Sequence, residues 1–217
     1  MAQTQKDHVR AAIVRGAAEL FAEVGYEAAT IASVAERAGS SVGNVYKYFG
    51  SKEALLEVVL PPSFAEELRR MVHRRMRALG EARLVDDLPP DAEYHLVAAE
   101  LVDHCLAHRE RVVLLLARGE GTPYARFSAD LARSMTSWAL EYVATVWPSV
   151  KVDRVLRATL ERIYASYVVG LGDVLAAHRD ARHARAAIDH LSQYHLGGLR
   201  RLFETASTSP PARGARA

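Results

Sequence analysis

The side chains best suited to nucleic-acid chemistry lie in one short segment, VGNVYKY at residues 42–48. An asparagine such as Asn44 can pair with two edge atoms of adenine, and a lysine such as Lys47 can reach O6 and N7 of guanine. Val42 can contact the methyl group of thymine. Gly43 has no side chain, so a helix that carries it can lie close to DNA. The pattern predicts a helix that reads base edges in the major groove.

A second set of residues carries groups that suit the phosphate backbone rather than the bases. Hydroxyls can donate hydrogen bonds to phosphate oxygens, and the first turn of a helix attracts anions. The predicted phosphate contacts are Thr30, Ser41, Tyr46, Tyr48 and Lys52. A cation such as Lys52 in the first turn of a helix is disfavoured by the helix dipole, by roughly 0.3–1 kcal/mol. A bound phosphate would offset this cost, but a solvated lysine explains the position equally well.

Short helices with closely spaced stops must position these groups. The first is predicted over about residues 5–24, and its apolar residues recur at helical spacing. The predicted N-caps of the next three helices are Thr30, Ser40 or Ser41, and Ser51, and the glycines that end the first three are Gly25, Gly39 and Gly50. Helices this short bury little area alone, so they must pack together as a three-helix unit with a helix-turn-helix.

The remainder of the chain is predicted to be a larger helical body. The fourth helix meets Pro61 and Pro62, which interrupt it, and then kinks and resumes over 63–79. A linker follows at 80–90, and further helices are predicted at about 91–108, 109–118, 123–147, 152–178 and 181–205. We predict an all-α fold with a DNA-binding domain at 1–56, a ligand-binding and dimerisation domain at 57–206, and a disordered tail at 207–217.

Composition limits the possible partners and compartments. The 217 residues carry a net charge of only +2, so affinity for DNA must come from where charges lie and not from their sum. The single cysteine, Cys105, excludes an internal disulfide and suits a reducing cytosol. No secretory leader is visible at the N-terminus, and no apolar run reaches the roughly 20 residues of a membrane span. We expect a cytoplasmic protein with no membrane partner.

Residues 13–59 resemble the N-terminal domain of TetR-family transcriptional repressors. The matching motifs are ELFAEVGY, Thr30 before IASVA, AERAG, GNVYKYF and SKEALL. The resemblance implies an all-helical homodimer that binds a palindromic operator and releases it when a small-molecule effector, here unknown, occupies the C-terminal domain. One departure is the turn, where Ser40 replaces the usual apolar residue and Ser41-Val42 replaces the usual Ser-Lys or Ser-Arg. That departure removes one expected basic contact.

The C-terminal body holds candidate residues for an effector pocket. An aromatic stripe at helical spacing is more often core than ligand site, but the helix predicted at 123–147 can serve both purposes. The candidate pocket residues are Phe64, Leu68, His104, Met135, Trp138, Tyr142, Tyr164 and Tyr167. Phe64 and Leu68 lie just beyond the two prolines, where they would sense whether the pocket is occupied.

The two last helices are the candidate dimer interface. Gly197 and Gly198 would let two helices approach closely, and the interface candidates are Ile188, Leu191, Gly198 and Leu202. His104, His108 and Glu100 have a spacing that fits a metal site, but a solvated histidine pair is the more common explanation. We therefore expect no metal and no cofactor.

Two further classes of function remain as alternatives to a repressor. The first is a helical adaptor or small-molecule-binding protein that has lost specific DNA binding, which the missing basic residue at position 42 favours. The second is an enzyme. The sequence shows no nucleophile–base pair, no phosphate-binding loop and no clear spacing of metal ligands. We therefore predict that the protein is not an enzyme.

Overall fold

A computed structural model describes residues 2–83 and 85–208, and that part of the chain is helical with no β-strand. The helices are α1 (Ala2–Val24), α2 (Ile31–Arg37), α3 (Val42–Phe49), α4 (Lys52–Val59), α5 (Pro62–Arg77), α6 (Glu93–Ala107), α7 (Arg109–Ala117), α8 (Phe127–Val146), α9 (Arg154–Ala177) and α10 (Ala181–Thr208), with a 3₁₀ turn at Val85–Asp87. The predicted all-α fold class is therefore confirmed. Within these residues no helix is long and apolar enough to cross a membrane.

The first four helices share one apolar core. Ile13 and Phe21 of α1 are fully buried, as are Val34 of α2 and Leu55 of α4. α2 and α4 pack on α1, and α2 also packs on α3. Gly39 has φ +59°, a left-handed conformation that glycine adopts without strain, and it makes the turn between α2 and α3. The observed arrangement is the predicted helix-turn-helix.

The proline pair separates two helices. α4 ends at Val59, Leu60 is its C-cap, and Pro62 occupies the first turn of α5 after the extended N-cap Pro61. Proline suits this position because its missing N–H has no helical partner there. The prediction of one kinked helix that resumes at Ser63 was wrong, because the two prolines begin a new helix.

The body is organised around α7. Its residues 112–116 are all buried, and it packs against α1, α6, α8 and α9. Gly172 of α9 lies so close to α7 that an added Cβ would sit 2.9 Å from Cβ of Leu116. This contact shows why α9 carries a glycine where it crosses α7. Because α7 also packs on α1, the body and the helix-turn-helix unit share a continuous apolar core.

Two predicted boundaries changed. α8 begins at Phe127 and not at residue 123, because Thr122 forms a turn in which its hydroxyl donates to the carbonyl of Gly119 at 2.6 Å. α10 continues to Thr208, two residues into the segment that we predicted as a disordered tail. The remaining tail residues, 209–217, lie outside the described residues.

Candidate nucleic-acid interface and effector cavity

α3 presents one polar face to solvent and one apolar face to the core. Val45 and Phe49 are buried, whereas Val42 is 42% exposed and Tyr46 is 51% exposed. Gly43 and Lys47 are exposed as well, and Asn44 and Tyr48 are half-buried. The structure therefore places six of the predicted contacts on one short helix, whereas Thr30, Ser41 and Lys52 lie at the starts of α2, α3 and α4. The half-buried Tyr48 packs partly against the core.

Asn44 is held at the start of α3 by two serines. Its backbone N–H donates to Oγ of Ser41 at 3.2 Å, which is the N-cap hydrogen bond of the helix. Its side-chain Nδ2 donates weakly to Oγ of Ser40 at 3.4 Å. Ser40, which departs from the family pattern, thus contacts the side chain predicted to read adenine. This role of Ser40 was missed from the sequence because a residue outside the helix carries no periodic signal.

Gly43 has free space around it in the described structure. An added Cβ would meet only Oγ of Ser41, at 3.9 Å. Packing inside the protein therefore gives no reason for a glycine at this position, although glycine costs roughly 1 kcal/mol in a helix relative to alanine. Close approach of an external partner to α3 is a reason that fits.

The helix N-termini near α3 are capped as predicted. Thr30 caps α2, accepting from the backbone N–H of Ser33 at 3.1 Å, and Ser33 returns a hydrogen bond in a capping box. Ser51 caps α4 by accepting from the backbone N–H of Ala54 at 3.1 Å. These caps fix the starts of α2 and α4, the two helices that pack against α3.

Lys52 is neither freely solvated nor unpartnered. Its Nζ lies 4.2 Å from the ring centroid of Tyr26 and donates to the carbonyl of Glu27 at 3.5 Å. Partial burial lowers the pKa of Lys52, although the nearby carboxylates of Glu53 and Glu27 oppose the shift. The Tyr26 hydroxyl in turn donates to Glu53 at 3.3 Å. The ammonium is thus placed by a cation–π contact in the first turn of α4.

The other positively charged side chains of the helix-turn-helix unit differ in whether a carboxylate already pairs with them. Arg37 pairs with Glu23 at 3.0 Å and with Glu19 at 4.0 Å. Arg10 of α1 lies with its Cζ 5.4 Å from the Phe49 ring, at the end of α3. The sequence did not indicate Arg10 as a candidate DNA contact, because only the folding of α1 beside α3 brings it close to Phe49.

A cavity of about 700 Å³ lies between α5, α6, α8, α9 and α10. Five of the eight predicted pocket residues line it, namely Met135, Trp138, Tyr142, Tyr164 and Tyr167. Tyr142 donates its hydroxyl to the carbonyl of Ala82, which ties the linker after α5 to the cavity wall. A volume of this size suits a small-molecule ligand.

The other three predicted pocket residues lie elsewhere. Phe64 and Leu68 are buried in the core, and Phe64 stacks on His104 with ring centroids 5.3 Å apart. Their placement in the cavity was wrong because the first half of α5 packs inward, whereas its last turns form the cavity wall. His104 and His108 lie near each other, but Glu100 pairs with Arg74 at 2.9 Å. Among the described residues no three metal-binding side chains come together.

Three further polar residues of the cavity, Arg75, Tyr94 and His195, were not predicted from the sequence. Nη2 of Arg75 donates to the hydroxyl of Tyr94 at 2.9 Å. His195 stacks on Tyr167 with centroids 3.9 Å apart, and burial together with the charge of Arg75 lowers the pKa of His195 to about 4. These residues come from α5, α6, α9 and α10, so no local spacing in the sequence could group them.

The predicted dimer residues divide into buried and exposed ones. Ile188 is 4% exposed and belongs to the core of its own chain. Leu191 packs towards Gly170 of α9, and Leu202 is also half-buried against the core. The placement of Ile188 in an interface was wrong, because it packs in the core of its own chain, whereas the placements of Leu191 and Leu202 stay predictions. Gly198 is exposed with open space around it.

Other residues of α9 and α10 that were not predicted as interface residues are also exposed. Tyr194 of α10 is 82% exposed and Val155 of α9 is 72% exposed. Val169 of α9 is also exposed, and Gly197 has no neighbour within 4 Å of an added Cβ. We call Val155, Val169, Tyr194, Gly197 and Gly198 the outer face of α9 and α10.

A capped helix-turn-helix unit with an exposed polar third helix, joined to a helical body with a cavity, is typical of helix-turn-helix transcriptional regulators. Residues 13–59 match the family described as bacterial regulatory proteins, tetR family. The curated relatives that match the chain are named HTH-type transcriptional regulators, so residues 13–59 are similar to a TetR-type N-terminal domain.

Three relatives illustrate the similarity. YuxN of Bacillus subtilis, an uncharacterised HTH-type transcriptional regulator, is 25% identical over 130 residues, which cover 60% of this chain and 41% of YuxN. An HTH-type transcriptional repressor of Mycobacterium tuberculosis is 37% identical over 70 residues, covering 32% of this chain and 37% of the repressor. BetI of Burkholderia lata, an HTH-type transcriptional regulator, is 35% identical over 74 residues, which cover 34% of this chain and 38% of BetI. The matches thus span about two fifths of the length of these relatives.

Proposed function

We propose that the protein is a ligand-responsive transcriptional regulator, most simply a repressor, that binds a palindromic operator in the cytoplasm as a homodimer. α3 lies in the major groove, where Asn44, Lys47 and Val42 contact base edges and Gly43 permits close approach. Thr30, Ser41, Tyr46, Tyr48 and Lys52 contact phosphates. The observation that carries this proposal is the exposed, capped face of α3 within a TetR-type domain.

Dimerisation is supported by the outer face of α9 and α10. Its exposed apolar side chains and open glycines suit an isologous contact, in which the same surface of both copies meets across a two-fold axis. Two copies of α3 would then lie about 34–36 Å apart, or a multiple of that distance, to reach successive major grooves. The proposed domains are residues 1–56 for DNA and 57–206 for the effector and the dimer.

A route from the cavity to α3 is supported by the contacts at the end of α4. The hydroxyl of Tyr124 donates to the carbonyl of Leu60 at 3.2 Å, just where α4 ends. Tyr124 precedes α8, which carries Met135, Trp138 and Tyr142 of the cavity wall. A ligand that shifts α8 would therefore move the end of α4, and α4 packs on both α1 and α3.

The DNA contacts are tested by operator binding. An operator is first located by footprinting the purified protein on DNA that flanks its own gene, and affinities are then measured by fluorescence polarisation. Asn44→Ala should cost about 1–3 kcal/mol and relax specificity at one operator position. Lys52→Ala should weaken binding to all sequences and reduce the slope of log affinity against log salt by about one.

A matched variant separates a phosphate contact from a general loss of charge. Lys151→Ala removes an equal charge at an exposed position between α8 and α9, and it should leave the salt slope unchanged. If Asn44→Ala and Lys52→Ala bind the operator like the unmodified protein, the docking of α3 is incorrect. If the unmodified protein binds no DNA, a helical adaptor or ligand-binding protein becomes the better assignment.

A further inference from the structure

Arg75 brings an unpaired positive charge to the wall of the cavity. The half-buried guanidinium donates from Nη2 to the Tyr94 hydroxyl at 2.9 Å, and its Cζ lies 5.3 Å from the centre of the Tyr94 ring. Within residues 2–83 and 85–208, no carboxylate forms an ion pair with Arg75. The adjacent Arg74 differs, because it lies outside the cavity and pairs with Glu100 at 2.9 Å.

The groups that surround Arg75 are neutral near pH 7. Burial raises the pKa of Tyr94 and that of Tyr164, so both keep their protons. Burial and the charge of Arg75 lower the pKa of His195 to about 4, so its ring is uncharged. Because arginine stays protonated, Arg75 keeps a positive charge in the cavity wall that no carboxylate of the described residues pairs with.

The remaining wall divides into a cationic part and an apolar part. Arg77, Arg83 and Arg200 also line the cavity, whereas Glu141 is the one acidic residue among its lining side chains in the described part of the chain. Met135 and Trp138 supply apolar surface on α8. A guanidinium beside apolar walls is the usual recognition chemistry for a carboxylate attached to an apolar body.

We propose that the cavity binds an apolar carboxylate, with Arg75 pairing with the carboxylate and the apolar body lying against Met135 and Trp138. The proposal rests on the proposed role of this cavity as the effector site and names the class of its ligand. Burying a charge without a partner is costly, so a carboxylate that pairs with Arg75 gains more than a neutral molecule of the same shape. The volume of about 700 Å³ holds a molecule of medium size.

Three probes with the same ten-carbon chain test the charge preference. The full-length protein is titrated by calorimetry at pH 7.5 with decanoate and decylammonium, each below its critical micelle concentration, and with decan-1-ol below its aqueous solubility limit. Decanoate should bind at least about 10-fold more tightly than decan-1-ol, because a hydrogen bond to a charged group adds more than a neutral one. Decylammonium should bind weakest, since it repels Arg75.

Two neighbouring arginines provide matched variants. Arg75→Met should abolish the preference for decanoate over decan-1-ol, and Arg75→Lys should retain part of it. Arg74→Met, which removes an equal charge outside the cavity, should leave the preference unchanged. Circular dichroism establishes that each variant is folded, and the comparison of the three probes on the unmodified protein does not depend on any variant.

Several results would overturn this inference. They are decan-1-ol binding as tightly as decanoate, no probe binding at all, or Arg74→Met removing the preference as fully as Arg75→Met. Operator binding is measured separately. Operator binding without any probe binding rejects the carboxylate and leaves the regulator proposal intact, whereas decanoate selectivity without operator binding supports the carboxylate and rejects the regulator proposal.

Discussion

At the scale of single residues, His195 is the cavity side chain whose protonation the fold most opposes. It is buried, stacked on Tyr167, and close enough to Arg75 for that charge to act on it. Its pKa falls from the ordinary 6.5 to about 4. The folded protein therefore holds His195 neutral at a pH where the unfolded chain takes up a proton.

This shift predicts a loss of stability in acid. Between about pH 6.5 and pH 4 the unfolded state binds more protons at this position, so the free energy of unfolding falls as the pH falls. The contribution of His195 amounts to about 3 kcal/mol over that window. Urea unfolding at pH 7 and pH 4.5 should show a smaller pH dependence for His195→Gln than for the unmodified protein.

The control for this prediction is on the same helix. His190 is exposed, so His190→Gln should keep the full pH dependence. Equal pH dependence in His195→Gln and in the unmodified protein would show that His195 accepts its proton as readily in the folded state as in the unfolded one.

At the scale of the elements, α4 is held at both ends by contacts of different origin. At its start the hydroxyl of Ser51 accepts from the N–H of Ala54, within the same helix. At its end the Leu60 carbonyl accepts from Tyr124, which lies before α8. The first contact is set by local sequence, and the second joins the helix-turn-helix unit to the body.

Removal of the Tyr124 hydroxyl should loosen the end of α4. Tyr124→Phe keeps the ring and loses one hydrogen bond, which predicts a loss of about 0.5–1.5 kcal/mol in the free energy of unfolding. Amide hydrogen exchange should become faster at the last turn of α4, including Leu60. Tyr46→Phe, at a position that is 51% exposed, should change neither quantity. Unchanged exchange in Tyr124→Phe would show that this contact is not part of the route from the cavity to α3.

The sequence predicted those features that depend on nearby residues. Thr30, Ser41 and Ser51 were identified as caps because a cap acts over three residues, and Val45 and Phe49 were placed inside because they share a helix face. The sequence did not predict Arg75 or His195 in the cavity. Both positions depend on how α5 and α10 pack against helices distant in the chain. For the same reason, apolar periodicity could not show that Ile188 faces its own core.

At the scale of the whole molecule, the outer face of α9 and α10 determines the proposed assembly. Leu96 of α6 is exposed to a comparable degree, at 65%, but lies outside this face. An exposed side chain such as Tyr194 supports no packing within its own chain. A charge introduced there should therefore disturb association and leave the monomer fold intact.

Tyr194→Glu should convert the dimer to monomer. Analytical ultracentrifugation should give twice the chain mass of 23.9 kDa for the unmodified protein and for Leu96→Glu, and the chain mass for Tyr194→Glu. Operator affinity should fall when the dimer dissociates, because two linked recognition helices bind more tightly than one. A Tyr194→Glu protein that remains dimeric would place the interface on another surface.

The stacking of Lys52 on Tyr26 has a consequence for the entropy of DNA binding. A free lysine loses up to roughly 2 kcal/mol of rotamer entropy when it is fixed. The ring of Tyr26 has already restricted this side chain before DNA arrives, so pairing with a phosphate fixes fewer additional rotamers. In the proposed complex Tyr26 would therefore contribute to affinity without touching DNA, by ordering the lysine in advance.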